Sequence, residues 1–128
     1  MLVFRMAATE LTLRIRVLRG ADIIIGPGRA DLLGHIAATG SIAAAGRQMN
    51  MSYKRAWELV EAMNAGFATP LVAAAKGGAG GGGARLTETG QAVLSAYRAI
   101  QSAATQAAQP GLATLFDALS VPPDPETG

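Results

Sequence analysis

Ser41 to Asn64 reads SIAAAGRQMNMSYKRAWELVEAMN, two apolar-periodic stretches parted by a short polar turn. In the first, Ile42, Ala45 and Met49 recur at helical spacing, and the small alanines let a neighbouring helix approach closely. Ser41 stands where a hydroxyl caps the free amides of the opening turn. Asn50 and Met51 make the turn. Ser52 caps the next helix, in which Tyr53, Ala56, Trp57, Val60, Met63 and Asn64 recur at steps of three and four. Alone, YKRAWELVE is an ordinary amphipathic helix. Directly after a short capped helix and a turn, it becomes the second helix of a helix-turn-helix.

The preceding residues supply a third helix. GRADLLGHIAATG predicts a helix over roughly 29–38, with Leu32, Leu33, Ile36 and Ala37 on one face and glycine near its C-terminal end. GPG at 26–28 is expected to stop regular structure. Further upstream, ELTLRIRVL alternates Leu11, Leu13, Ile15 and Val17 with polar residues, the period of a strand with one buried face. RGAD then turns the chain, and IIIG is a short return strand.

Downstream, LVAAAK and ARL are two short strands on either side of a run of glycines. That run is no linker, because only one helix and a tail follow it and a single helix does not fold alone in water. It is no phosphate loop either. Ala-Arg-Leu-Thr follows the glycines where that chemistry needs Lys and a hydroxyl, and the formal match to a dinucleotide fingerprint comes almost free in so many glycines. What remains is a hairpin tip. Glycines let it lie close to a backbone, and Lys76 and Arg85 frame it with positive charge. Thr87 caps a long helix with Val93, Leu94, Tyr97, Ile100 and Ala104 down one side. Pro110 is expected to interrupt that helix, GLATLFDALS to add a short amphipathic turn or two, and VPPDPETG to be loose.

The fold class that follows is mainly α with a small β component: a winged helix-turn-helix with an N-terminal strand or hairpin and a long C-terminal helix. The expected division is one domain over 1–110, its dimerisation helix over 87–109, and a tail over 111–128. Composition agrees with one globular unit. The chain has 128 residues, half of them apolar, a net charge of +2 and no cysteine, which removes disulfides, thiolate nucleophiles and zinc–thiolate clusters. Charge is uneven, a basic body bearing an acidic end, and that suits an anionic partner. MLVF meets Arg5 too early for a secretory signal, and no stretch is long and apolar enough to span a bilayer, so the expected setting is the cytoplasm.

In a winged helix-turn-helix the second helix enters the major groove of double-stranded DNA and the hairpin rides along the backbone. Candidate DNA contacts are Ser52, Tyr53, Lys54 and Arg55 in the first turn of that helix, Ser41, Arg47 and Gln48 on the helix before it, and Lys76, Gly80 and Arg85 on the hairpin. Glu58 can pair with Lys54 or Arg55, and Trp57 is expected in the core. The stripe Val93, Leu94, Tyr97, Ile100 and Ala104 is expected to join two copies, since proteins of this architecture commonly bind two-fold sites as dimers. His35, the one histidine, has no acidic or metal-ligand companion nearby in sequence, and no catalytic constellation or metal site is expected. Two other functions use the same residues: a protein-interaction module on this scaffold, and an oxyanion-binding protein holding its ligand at a helix start such as Ser52 or Thr87.

GPGRADLLGHIAATGSIAAAGRQMNMSYKRAWELVEAMN, then PLV and GGAGGGGARLTETGQAVLSAY, resemble the amino-terminal DNA-binding domain of the ModE family of molybdate-responsive transcription regulators over about residues 8–110. The broader outline from GSI to LT..G is also similar to the LysR-type helix-turn-helix. The resemblance implies a winged-helix dimer acting on transcription, with Ser52, Tyr53, Lys54 and Arg55 on the recognition helix and Lys76 and Arg85 around the wing. Members of that family bind molybdate in separate carboxy-terminal domains, and this sequence ends soon after the long helix. No cofactor is therefore expected, and molybdate sensing by this chain alone is not.

Overall fold

A computed structural model describes residues 9–76 and 83–120. The expectations for the apolar start, for Gly80 and for the final residues 121–128 lie outside the described residues. The chain divides into two compact units, one Arg14–Ile100 and the other assigned to Met1–Leu13 and Gln101–Gly128.

The larger unit opens on a hairpin of β1 (Val17–Arg19) and β2 (Asp22–Ile25) with a register shift after Val17. The expected strand over 10–18 is thus paired only at Val17 and Leu18. β2 has four residues, and Gly26 already caps the next helix, so among the described residues no strand lies beside those before Val17. Ile15 is held differently: its carbonyl accepts the Tyr97 hydroxyl at 2.6 Å. Tyr97 is buried at 1% exposure, and Tyr97→Phe removes this bond without opening space. It is expected to cost about 1–2 kcal/mol in urea unfolding, most of it from the stranded carbonyl.

α1 (Pro27–Thr39) starts earlier than expected. Pro27 does not stop the helix but begins it, because the first helical position has no partner for an amide that proline lacks. Gly40, at φ 70°, ends it and donates its N–H to Ile36 O at 2.8 Å. Leu32, Leu33 and Ile36 are fully buried as expected, joined by Ala30 in place of Ala37. α2 (Ile42–Gln48) and α3 (Tyr53–Gly66) follow, with Asn50 at φ 56° in the turn between them. β3 (Val72–Ala75) and β4 (Gly83–Leu86) pair antiparallel from Val72↔Leu86 to Ala75↔Gly83. Ala84 N–H donates to Gly40 O at 2.9 Å and ties this hairpin to the end of α1. The core gathers Leu32, Leu33 and Ile36 with Ala45, Ala56, Val60, Met63, Leu71, Leu86 and Tyr97.

Thr87 joins hairpin to α4 (Glu88–Ala118). Its Oγ1 accepts Gly90 N–H at 3.0 Å and donates to Pro70 O at 2.6 Å, while its own N–H reaches Leu71 O at 2.9 Å. α4 runs through Pro110 without a break, contrary to expectation, and the division expected at residue 110 falls inside it. Proline there removes one amide bond to the carbonyl of Gln106, but both residues are exposed, so water can take that carbonyl.

Of the smaller unit, residues 9–13 and 101–120 are described. Gln101, Ala104, Ala108 and Leu112 are its half-buried helical positions, spaced by three and four, while Leu115, Phe116 and Leu119 are exposed. Among the described residues no helix is long and apolar enough to cross a membrane.

Candidate nucleic-acid interface

α2 and α3 touch through small side chains. A Cβ on Gly46 would lie 3.1 Å from Ala56 Cβ, so Gly46 and Ala56 set how closely α3 is held. Both expected caps are made. Ser41 Oγ accepts Ala44 N–H at 3.0 Å, and Ser52 Oγ accepts Arg55 N–H at 3.1 Å. Each hydroxyl keeps its own O–H to donate to a partner.

Around α3, at about 100° per residue, Ala56, Val60 and Met63 form the buried stripe. Tyr53, Trp57 and Asn64 flank it on one side and Arg55 on the other, while Lys54 and Glu58 face away. Trp57 is therefore not the core anchor expected. It is 43% exposed, because it stands one residue, and so about 100°, past fully buried Ala56. Tyr53, one turn before it, is 57% exposed. Lys54 and Arg55 are exposed, and among the described residues neither is ion-paired, so the expected pairing with Glu58 is not made.

The Tyr53 flank of α3 faces the β3–β4 hairpin across a groove of about 460 Å³, with the start of α2 at one side. Asn64 spans its base. Asn64 Oδ1 accepts the N–H groups of Leu71 at 2.8 Å and Val72 at 3.1 Å, and its Nδ2 donates to Val72 O at 3.0 Å. One side chain thus holds the hairpin to α3. Its sequence signal was a polar residue ending an apolar stripe, the usual mark of a side chain that bonds backbone within a packed face.

Of the candidate contacts, Ser41 and Tyr53 line the groove, and Lys54 and Arg55 follow in the first turn of α3. Lys76 is exposed where β3 ends. Arg85 stands between buried Ala84 and Leu86, so it projects from the opposite face of the hairpin and not into the groove. Arg47 and Gln48 are exposed at the far end of α2.

The expected dimer stripe is corrected in part. Tyr97 is buried in its own core and is no free contact, while Val93 and Leu94 pack partly buried against that core. Ile100 is 45% exposed and Ala104 half-buried. At the helix start the Thr87 hydroxyl already bonds Pro70 O and Gly90 N–H, and Gly90 itself is buried. Among the described residues no three His, Asp or Glu side chains are grouped to hold a metal ion.

No protein-family model matches the chain. It is 48% identical over 86 residues to the molybdenum-pterin-binding protein MopB of Rhodobacter capsulatus, covering 67% of this chain and 32% of that protein. It is 42% identical over 87 residues to the DNA-binding transcriptional dual regulator ModE of Escherichia coli K12, covering 68% of this chain and 32% of the regulator. The chain thus spans about a third of the length of these curated relatives. In structure it matches the DNA-binding domain of the LysR-type CbnR, solved as a DNA complex, with a TM-score of 0.53 at 22% identity, over 69% of this chain and 95% of that one. The chain is similar to ModE regulators over about two thirds of its length, and its fold is that of a winged helix-turn-helix.

Proposed function

We propose that this chain is a sequence-specific transcription regulator that binds double-stranded DNA as a homodimer in the cytoplasm and is not an enzyme. The observation that carries the proposal is the first turn of α3: Lys54 and Arg55 are exposed and unpaired among the described residues, on the helix that follows the turn of the helix-turn-helix, and Lys76 is exposed just past β3. Arg55 has the planar fork that reads guanine or clamps phosphate, whereas Lys54 and Lys76 are point charges suited to phosphate. Ile100, exposed on α4, supplies apolar area for pairing two copies. Molybdate is not assigned to this chain.

The test is binding to duplexes selected from a random pool by the full chain, over a range of salt. Wild type is expected to bind two chains per duplex, with log affinity falling linearly in log salt. Lys76→Ala should weaken selected and random duplexes alike and reduce the slope by about 0.9, the loss of one phosphate contact. Arg55→Ala should lose discrimination between them. Equal losses on both duplexes from both variants would refute this division of roles.

A further inference from the structure

The groove between α3 and the hairpin is built for more than phosphate. One wall carries Tyr53 and Trp57, two exposed aromatic rings one helical turn apart. The other carries buried Val72 at its base and, beyond it, Ala73, Ala74, Gly83 and Ala84, four positions with no side chain larger than a methyl, and both rings stay open. Asn64 holds the two walls at fixed spacing. The charge lining the groove is that of Glu61, while the exposed lysines lie outside it, Lys54 next to Tyr53 on the outward side of α3 and Lys76 just past β3. Glu61 lies eight residues beyond Tyr53, about 12 Å along the helix, so a polyanion is steered to the Tyr53 end. The occupant this combination fits is anionic along its length yet offers apolar faces at the scale of one side chain, as a strand of DNA does through deoxyribose and the thymine methyl.

We infer that Tyr53 and Trp57 form an apolar contact surface for one strand of the duplex, with Trp57 packing against a thymine methyl and its sugar. This rests on the proposed DNA binding and adds a specificity residue to it. Such a contact has a distinctive signature, because burying carbon releases no counterions. Trp57→Ala should weaken the selected duplex by about tenfold or more and leave the salt slope unchanged, unlike the loss of Lys76.

Trp57 is the only tryptophan in the chain, so its emission reports on this groove alone. Titrating wild type with the selected duplex should shift the emission to shorter wavelength and protect it from acrylamide. Replacing thymines one at a time by deoxyuridine should find a position that weakens wild type by about fourfold, the worth of one buried methyl, and leaves Trp57→Ala unaffected. Trp57→Phe, which keeps an aromatic face, should retain most of the affinity even if the alanine variant folds poorly. Tight binding with unchanged emission and no loss in either variant would overturn the inference and leave the DNA-binding proposal standing. An emission shift that follows chain concentration without DNA would also overturn it, by assigning the groove to a second copy. Failure to bind any duplex in dilute salt would overturn both.

Discussion

Gly90→Ala is expected to lower the melting temperature by roughly 10–20 °C, a loss of about 3 kcal/mol, although alanine is the better helix former. A Cβ built on Gly90 would lie 2.0 Å from Leu71 O, 2.9 Å from Leu71 C and 3.2 Å from Leu71 Cα. All three are backbone atoms, so no side chain can swing aside. Relief requires the first turn of α4 to back away from Leu71, and that breaks the Thr87 N–H bond to Leu71 O and the hydroxyl bond to Pro70 O. The close approach thus explains the LT..G pattern: Leu86 enters the core, Thr87 caps α4 and clamps the chain before β3, and glycine three residues on gives them room. Gly34→Ala is the matched control in the middle of α1, where the new methyl would meet only an Arg98 nitrogen at 3.8 Å. It should stabilise by about 0.5–1 kcal/mol. Calorimetric melts of the two variants shifting in the same direction would refute the packing account.

Asn64→Ala should cost about 2–3 kcal/mol in denaturant unfolding, through three bonds to the hairpin backbone that no other residue can replace. Two amides and a carbonyl would be left at a half-buried junction. The effect should be local first. Amide exchange at Leu71 and Val72 should accelerate about tenfold or more relative to the buried positions of α1, because those amides lose their acceptor directly. Unchanged protection at both, with normal stability, would show that hairpin pairing alone holds β3. The substitution also frees one wall of the groove, so DNA binding should weaken more than the folded fraction accounts for.

Local chemistry was legible in the residues themselves. Ser41, Ser52 and Thr87 each cap the helix they precede, Gly40 ends α1, and Asn50 makes the turn, because each signal needs only its immediate chain neighbours. The order of elements followed from those signals, and the fold class from the order. Tertiary structure decided which flank of each helix is covered. Periodicity gives α3 an apolar stripe but not its width, and only the placement of the hairpin shows that Ala56 lies inside while Trp57 stands open. In α4 the same stripe could serve a partner or the chain itself, and Tyr97 went to the chain because the Ile15 carbonyl was there to take its hydroxyl. Contact between distant segments is likewise what makes Gly90 indispensable and turns Arg85 away from the groove, since neither Leu71 nor the register of β4 is visible from the residues beside them.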